Sequence, residues 1–486
     1  MMPPQRKDRW VVVLAGLLAG SALPPIGLWP LAIPGYALLL AGLRRGDQST
    51  LFKHMMIFLA GAWGVPFHWV VFHPVPAAAA SSLSALMAYA VLLAALTGFV
   101  VSRLPERLPD RDLAAVLSFA GFDILLARGP LAMPWLSPGL SVADASWAAG
   151  WASLAGFHGV TLALLLLAMV VARLVQDRNG RAAAGMLALL LIALPFPRRT
   201  FSEDASLLSV AMVEPGWPPN IWSMVDDTSR VSRLEDLTNA LPASDLVVFP
   251  ETALPVGDVD QLARWTAQLS AAVRAPVLAG GIERGIESGV ARNVAISSEE
   301  TTPYAKRHLV PFAEHVPFSN WIPFFSRLSV PSGGVEAYEP GRLLTPLPAG
   351  SVTAGVLICF ESLFARDARS LANMDADVLV VITQDGWWDS EAARTQHAAF
   401  SRLLAAAVGI PVIHATVDGQ SQAIDATGRV LPVRMHGRVH TAELPRSPVK
   451  TPFKRTGDWP FFAIFAALLL FQAPHWARLR RVPHPA

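Results

Sequence analysis

The sequence predicts two kinds of structure in one chain, a multi-span α-helical membrane domain and an α/β domain. Three observations carry this. Hydrophobic residues make up 53% of the 486 positions and charged residues only 16%, where a soluble globular chain has nearer a quarter charged. The long apolar runs crowd into residues 1–199, with one more near 459–476. Between them, residues 200–448 alternate short β-prone and helical stretches, the pattern of an α/β domain.

The runs before position 200 are seven: 10–23, 28–43, 53–72, 82–102, 112–127, 157–175 and 182–195. Several fall short of the roughly 20 residues that span a bilayer without distortion. The first two, broken at Pro24–Pro25, read as spans or as a re-entrant hairpin. A cleaved signal peptide is disfavoured, because no small-residue cleavage site follows the first run. The Ala-rich "PVPAAAASS" at 74–82 reads as a short exposed loop. Asp123 lies inside the fifth run. A carboxylate there is costly in lipid, so it is expected to pair or to face the bundle interior.

Charge placement orients the chain. With the N-terminus in the cytoplasm, the loops on that side hold Arg6, Lys7, Arg9, Arg44, Arg45, Lys53, Arg103, Arg107, Arg111, Arg173, Arg178 and Arg181, and the tail adds Arg478, Arg480 and Arg481. The opposite short loops hold little beyond Arg128; Arg198 and Arg199 are a minor exception. This is a positive-inside distribution. Seven spans then put 200–448 outside the cytoplasm, and residues 449–486 form a linker, an eighth span and a cytoplasmic tail. The many tryptophans, 15 in all, gather near run ends as interface anchors do.

Other classes are excluded. A net charge of +2 gives no case for nucleic acid, and one cysteine allows neither an intramolecular disulfide nor a multi-cysteine zinc site. "AGGIERG" lacks the G-x-G-x-x-G spacing of a dinucleotide loop. No metal and no cofactor are expected.

The outer block's strands are "LLSVAMVE", "DLVVFPE", "APVLAGGIE", "ARNVAISS", "AGVLICFE", "ADVLVVITQ" and "IPVIHATVDG", with helices near 225–240, 258–273, 362–373 and 391–408. Three ionisable residues sit at strand ends or in tight loops: Glu251, Lys306 and Cys359, 55 and 53 positions apart. Cys359 stands where a strand passes to a helix, and a helix N-terminus or a nearby cation lowers a thiol pKa. A free cysteine is also often simply buried. Glu251 follows a buried strand, where desolvation raises a carboxyl pKa toward that of a general base; it also fits a plain helix-start acid. Lys306 suits an oxyanion partner or a solvated surface lysine. Together they make a covalent acyl-transfer set. His308, His315, His397 and His414 have no distinguishing context and read as ordinary polar residues.

At "FPETALP", "KRHLVPFAEHVP" and "LICFES" the chain resembles the nitrilase, or carbon–nitrogen hydrolase, superfamily. "LPPIGLWPLAIPGYALLL", "MPWLSPGL" and "TPFKRTGDWP" narrow the resemblance to its membrane-embedded apolipoprotein N-acyltransferase family. The resemblance implies a nitrilase-like four-layer α-β-β-α sandwich on the periplasmic side of the bacterial inner membrane. It implies acyl transfer from a phospholipid, through a cysteine thioester, to the N-terminal amine of a diacylglyceryl-cysteine lipoprotein. By motif it makes Glu251 the base, Lys306 the oxyanion stabiliser and Cys359 the nucleophile. It makes Glu314, Glu361 and Asn293 supporting residues, and sets Trp222 against a tryptophan in the first domain loop. Trp321, Phe324, Phe325, Trp387 and Trp388 are candidates to line an acyl path or to pack and anchor. The chain departs from the family at Phe360 (tyrosine there), Ala365 (proline), "TQDGWWDS" (Asn-Asp-Ala-Trp-Phe) and "TVDGQ" (Thr-Asn-Asn-Gly). These loops keep two alternatives open: a membrane-anchored amidase using water, and a conjugation-associated nitrilase-like membrane protein. A non-catalytic scaffold is disfavoured by the intact triplet, and a transporter by the few charges inside the spans.

Overall fold

The computed structural model describes residues 4–72, 76–104, 110–176, 206–218, 227–239, 241–285, 291–318, 321, 338–387 and 390–479. The chain divides into two compact units. One comprises Met1–Phe72, Ser82–Pro197 and Thr456–Ala486; the other comprises His73–Ser81 and Arg198–Arg455. The seventh apolar run, 182–195, lies outside the described residues.

The first unit is helical: α1 (Pro4–Ser21), α2 (Ala32–Gly42), α3 (Gln48–Gly64), α4 (Pro76–Ser102, whose first residues belong to the other unit), α5 (Asp110–Leu126), α6 (Ser146–Gln176) and a closing helix Trp459–Leu479. Among the described residues, Ala79–Ser102 and Ser146–Val175 are long and apolar enough to cross a membrane; Arg9–Ser21, Trp29–Gly42 and Trp459–Gln472 are apolar but shorter. α6 is broken at Ala155–Gly156, where Gly156 has φ +66°, so its straight part begins where the sixth apolar run does. The expected loop at 74–82 is corrected. From Pro76 onward it is the first turns of α4, because alanine is the strongest helix former. Asp123 pairs with His158, Oδ2 to Nδ1 at 2.6 Å, and Asp112 is held between Arg44 at 2.7 Å and Arg173 at 3.4 Å. Buried charges in a helical bundle are paired for this reason.

The second unit is built on two sheets. Its strands are β1 (Leu207–Val213), β2 (Leu246–Phe249), β3 (Val256–Gly257), β4 (Val277–Arg284), β5 (Ala291–Ser297), β6 (Glu300–Ala305), β7 (Leu347–Ala349), β8 (Val352–Ile358), β9 (Val378–Thr383), β10 (Val412–Thr416), β11 (Gln422–Ile424), β12 (Arg434–His436) and β13 (Val439–Pro445). One sheet runs β12-β13-β1-β2-β4-β5-β6 with β3 beside β4; the other runs β11-β10-β9-β8-β7. β1, β2 and β4 are mutually parallel, as are β8, β9 and β10.

The two-residue period of a strand explains the layering. Leu208, Val210 and Met212 of β1 join a core with Val356, Ile358, Val380 and Ile382 of the other sheet. Their neighbours Ala211 and Val213 join a second core with Val231 and Leu234 of α7 (Asp227–Thr238) and Leu262 and Leu269 of α8 (Val259–Val273). On the other sheet lie α9 (Ala365–Asn373) and α10 (Glu391–Val408). All seven expected strands and all four expected helices of this block are present. The short strands β3, β6, β7, β11 and β12, and β13, were not anticipated.

Candidate active site

Four strand ends deliver the chemistry. Glu251 follows β2, Lys306 follows β6, Cys359 follows β8, and Asp385 follows β9. A buried apolar strand ends where a polar side chain must begin, and that change of character put Glu251 and Cys359 on view in the sequence, while Lys306 stood in a loop with apolar flanks.

Lys306 is the centre. It is almost fully buried. Its Nζ lies 3.2 Å from Glu251 Oε1 and 2.8 Å from Glu314 Oε1. Asn293 Nδ2 donates to the same two oxygens, at 2.7 Å and 3.3 Å. The second oxygens are also used. Glu251 Oε2 accepts from the backbone N–H of Gln384 at 2.7 Å, and Glu314 Oε2 from that of Val310 at 2.9 Å. The lysine's own backbone is pinned, its N–H donating to Asn293 O and its carbonyl accepting from Gly341 N. Burial opposes the ammonium charge, but the carboxylates of Glu251 and Glu314 outweigh it and hold the Lys306 pKa well above the usual lysine value. Lys306 is therefore a fixed cation rather than a solvated surface lysine.

Cys359 is the chain's single free thiol and is buried. Its φ is +52°, a left-handed conformation that a side chain rarely adopts. The chain continues as a short 3-10 turn, Cys359–Leu363, with α9 starting only at Ala365. The expected lowering of the thiol pKa by a helix N-terminus is corrected: burial first and the negative charge of Glu251 second push it well above the ordinary value, against the pull of the Lys306 cation and a hydrogen bond with Thr383.

Glu361 is fully buried and saturated with donors. Tyr304 Oη reaches both its oxygens at 2.9 Å, the N–H groups of Arg307 and His308 donate to Oε1, and that of Ile358 donates to Oε2 at 2.8 Å. It ties the segment after Lys306 to the turn that carries Cys359. Phe360 packs edge-on against Phe364, which stacks on His308.

Glu251, Asn293, Lys306 and Glu314 thus form one contiguous cluster, with Cys359 coupled to it by charge and Glu361 supporting both sides. Trp222, Phe324, Phe325 and Trp388 fall outside the described residues. Trp321 is strongly exposed and Trp387 half-buried.

The reading of the histidines is corrected in part. His397 and His414 are fully buried beside Asp385. His397 Nδ1 lies 2.7 Å from Asp385 Oδ1, and its Nε2 lies 3.2 Å from the carbonyl oxygen of Cys359. A usable sequence signal existed. Ala393, His397, Phe400 and Leu404 recur at helical spacing on the buried face of α10, and a polar residue in such a stripe needs a partner. Among the described residues, Asp385, His397 and His414 are the group whose possible metal-ligating atoms gather within 4.8 Å. Their ring nitrogens, however, face Asp385, Cys359 O, Ser362 and Ser401. That leaves Asp385 Oδ2 and His414 Nε2, fewer than the three protein ligands of a catalytic zinc site.

Two family models match this chain. The apolipoprotein N-acyltransferase N-terminal domain matches residues 15–170, and carbon-nitrogen hydrolase matches residues 209–450. An apolipoprotein N-acyltransferase of Photobacterium profundum is 27% identical over 485 residues, covering 93% of this chain and 92% of the relative. That of Azotobacter vinelandii is 29% identical over 508 residues, covering 97% and 96%. That of Caulobacter vibrioides is 28% identical over 514 residues, covering 97% and 94%. With both halves matched and relatives of the same name aligned along nearly the whole length, the chain belongs to the apolipoprotein N-acyltransferase family.

Proposed function

We propose that this chain moves an acyl chain from a phospholipid onto Cys359 as a thioester, and then onto the N-terminal amine of a diacylglyceryl-cysteine lipoprotein. The observation that carries this reading is the buried Glu251–Lys306–Glu314 cluster, whose Glu251 and Lys306 charges act directly on the Cys359 thiol. The names of the relatives supply the substrate class.

A thiol held well above its ordinary pKa stays protonated near neutral pH and needs a base. Glu251 takes its proton as the sulfur attacks the ester carbonyl, so that C–S formation and proton transfer coincide. Lys306 is charged at any working pH and stabilises the oxyanion together with backbone N–H groups. The C–O bond breaks, the proton passes from Glu251 to the departing lysophospholipid oxygen, and the thioester remains. The lipoprotein amine then attacks, Glu251 accepts its proton, and the C–S bond breaks with return of the proton to sulfur. Glu314 and Asn293 hold Lys306 and Glu251 in register throughout.

Both substrates are anchored in lipid, which accounts for an apolar helical unit and a catalytic one in the same chain. Residues 1–199 are read as seven spans, 200–448 as the periplasmic catalytic domain, and 449–486 as linker, eighth span and tail, in the bacterial inner membrane. Leu83, Met87, Val91, Leu92 and Phe99 on α4 are exposed, as lipid-facing residues are. The match of 209–450 to carbon-nitrogen hydrolase favours one alternative, an amidase that uses water.

Wild-type and Cys359→Ser proteins given labelled phospholipid test the reading. A covalent acyl adduct is expected only in the wild type, and an equal adduct in both discards the nucleophile. Triacylated lipoproteins in cells that lack their own N-acyltransferase and carry this chain would separate acyl transfer from amide hydrolysis.

A further inference from the structure

Behind Cys359 lies a buried group of side chains that the acyl-transfer steps leave unused. His397 stands in the middle of α10 and is fully buried. Its Nε2 lies 3.2 Å from the carbonyl oxygen of Cys359 and 3.0 Å from Ser362 Oγ, and its Nδ1 lies 2.7 Å from Asp385 Oδ1. The Thr383 hydroxyl donates to the same Asp385 oxygen at 2.8 Å. The Asp385 carboxylate therefore reaches Cys359 through the imidazole, at its carbonyl.

Such a device answers a specific difficulty. Cys359 holds a left-handed backbone, φ +52°, which persists only where surrounding contacts over-determine it. A hydrogen bond to its carbonyl is one such contact. For both ring nitrogens to donate, one to Asp385 and one to Cys359, the ring must carry both protons. The Asp385 charge raises the proton affinity of His397 against the opposing effect of burial. The other ionisable groups acting here are His414, whose Nε2 is 3.8 Å from Asp385 Oδ2, and Glu251, Lys306 and Arg402.

We propose that Asp385 and His397 are positioning residues for the nucleophile: the pair clamps the carbonyl of Cys359 and so fixes the backbone that aims its sulfur at Glu251 and Lys306. This rests on the reading of Cys359 as the acyl-accepting residue.

The test uses the full-length protein in detergent. Cys359 is the single cysteine, so iodoacetamide alkylation followed by intact mass reports that thiol alone, whether or not it is the natural nucleophile. His397→Leu and Asp385→Asn are each expected to slow both alkylation and phospholipid acylation by about 10- to 100-fold, the scale of a misplaced reacting group; His397→Leu, which leaves the Asp385 charge without its imidazole, should move the alkylation midpoint to higher pH, and Asp385→Asn, which removes a charge that raises the thiol pKa, to lower pH. His397→Gln keeps an N–H donor near the Nε2 position and is expected to recover part of both rates. Wild-type rates and an unmoved midpoint in folded His397→Leu overturn the proposal. If that variant does not fold, wild-type rates in both Asp385→Asn and His397→Gln overturn it. Wild-type protein that alkylates normally but takes no acyl group from phospholipid rejects the nucleophile reading instead, and the alkylation comparison still decides the clamp.

Discussion

The backbone N–H of Gln384 donates to Oε2 of Glu251 at 2.7 Å, joining residues 133 positions apart. Because Oε1 already accepts from Asn293 and Lys306, both oxygens of this carboxylate are oriented by the protein. A Glu251→Gln variant keeps the shape, turns an N–H onto one of those donors and cannot take a proton. The first acyl transfer should slow by about 10²- to 10⁴-fold, the usual worth of a positioned base. Single-turnover adduct formation followed by intact mass measures it. A wild-type rate in this variant would remove Glu251 from the role of base.

Glu314 supports the lysine from the other side. Glu314→Ala strips Lys306 Nζ of its 2.8 Å contact and leaves Val310 N without its acceptor. Breaking a buried ion pair from one side costs about 3 kcal/mol, so the denaturant midpoint of folded protein should fall clearly. Glu314→Gln keeps an oxygen for one donor and should cost less. The pH dependence has a definite sign. A lysine whose folded pKa exceeds its unfolded value adds stability that is complete below about pH 10 and is lost as pH rises through the folded pKa. The stability gap between wild type and Glu314→Ala should therefore be flat across neutral pH and narrow in strong alkali.

Much of the site was legible because its chemistry sits where apolar strands stop. Glu251 and Cys359 each end a buried apolar run, Lys306 stood out in a loop with apolar flanks, and the spacing of the apolar residues located β2, β8, α8 and α10 without further help. Asp385 occupies the same kind of position after β9, yet it read as one letter of an altered loop. His397 was missed although it stands in a buried helical stripe, because one of its partners, Asp385, lies in that altered loop and another, the Cys359 carbonyl, leaves no mark on residue type. Gln384 reaches Glu251 through its N–H and is hidden in the same way. The direction of the thiol's pKa was also beyond the sequence. A strand-to-helix junction promises a helix N-terminus, but five residues of 3-10 turn intervene here, and the depth of burial decides the outcome.

That depth predicts how Cys359 titrates. Burial first and Glu251 second raise its pKa, and Lys306 lowers it. Alkylation should therefore be slow at neutral pH and rise with a midpoint above about 8.5, the ordinary thiol value. Removing the negative neighbour in Glu251→Gln should move the midpoint down. Removing the cation in Lys306→Met should move it up. A wild-type midpoint below the ordinary value, or shifts of the opposite sign, would mean that the thiol does not feel these two charges in the sense described.

Glu251 is also positioned by a residue with no side chain. A Cβ on Gly280, in β4, would stand 2.6 Å from the Cα of Glu251 and 2.6 Å from the carbonyl oxygen of Pro250. Both are backbone atoms of the segment that carries Glu251, so the segment itself must move. A Cβ on the next residue, Gly281, would first meet Leu262 Cδ2 at 2.9 Å, the far end of a side chain that can turn aside. Gly280→Ala should thus displace Glu251 and lower acylation by about 10²-fold, as a shift near 1 Å in a reacting group does. Gly281→Ala, one position along the same strand, should keep most of the activity. Adduct formation in both variants, corrected for folded protein, measures the contrast; equal rates would show that the placement of Glu251 does not depend on the close approach of β4.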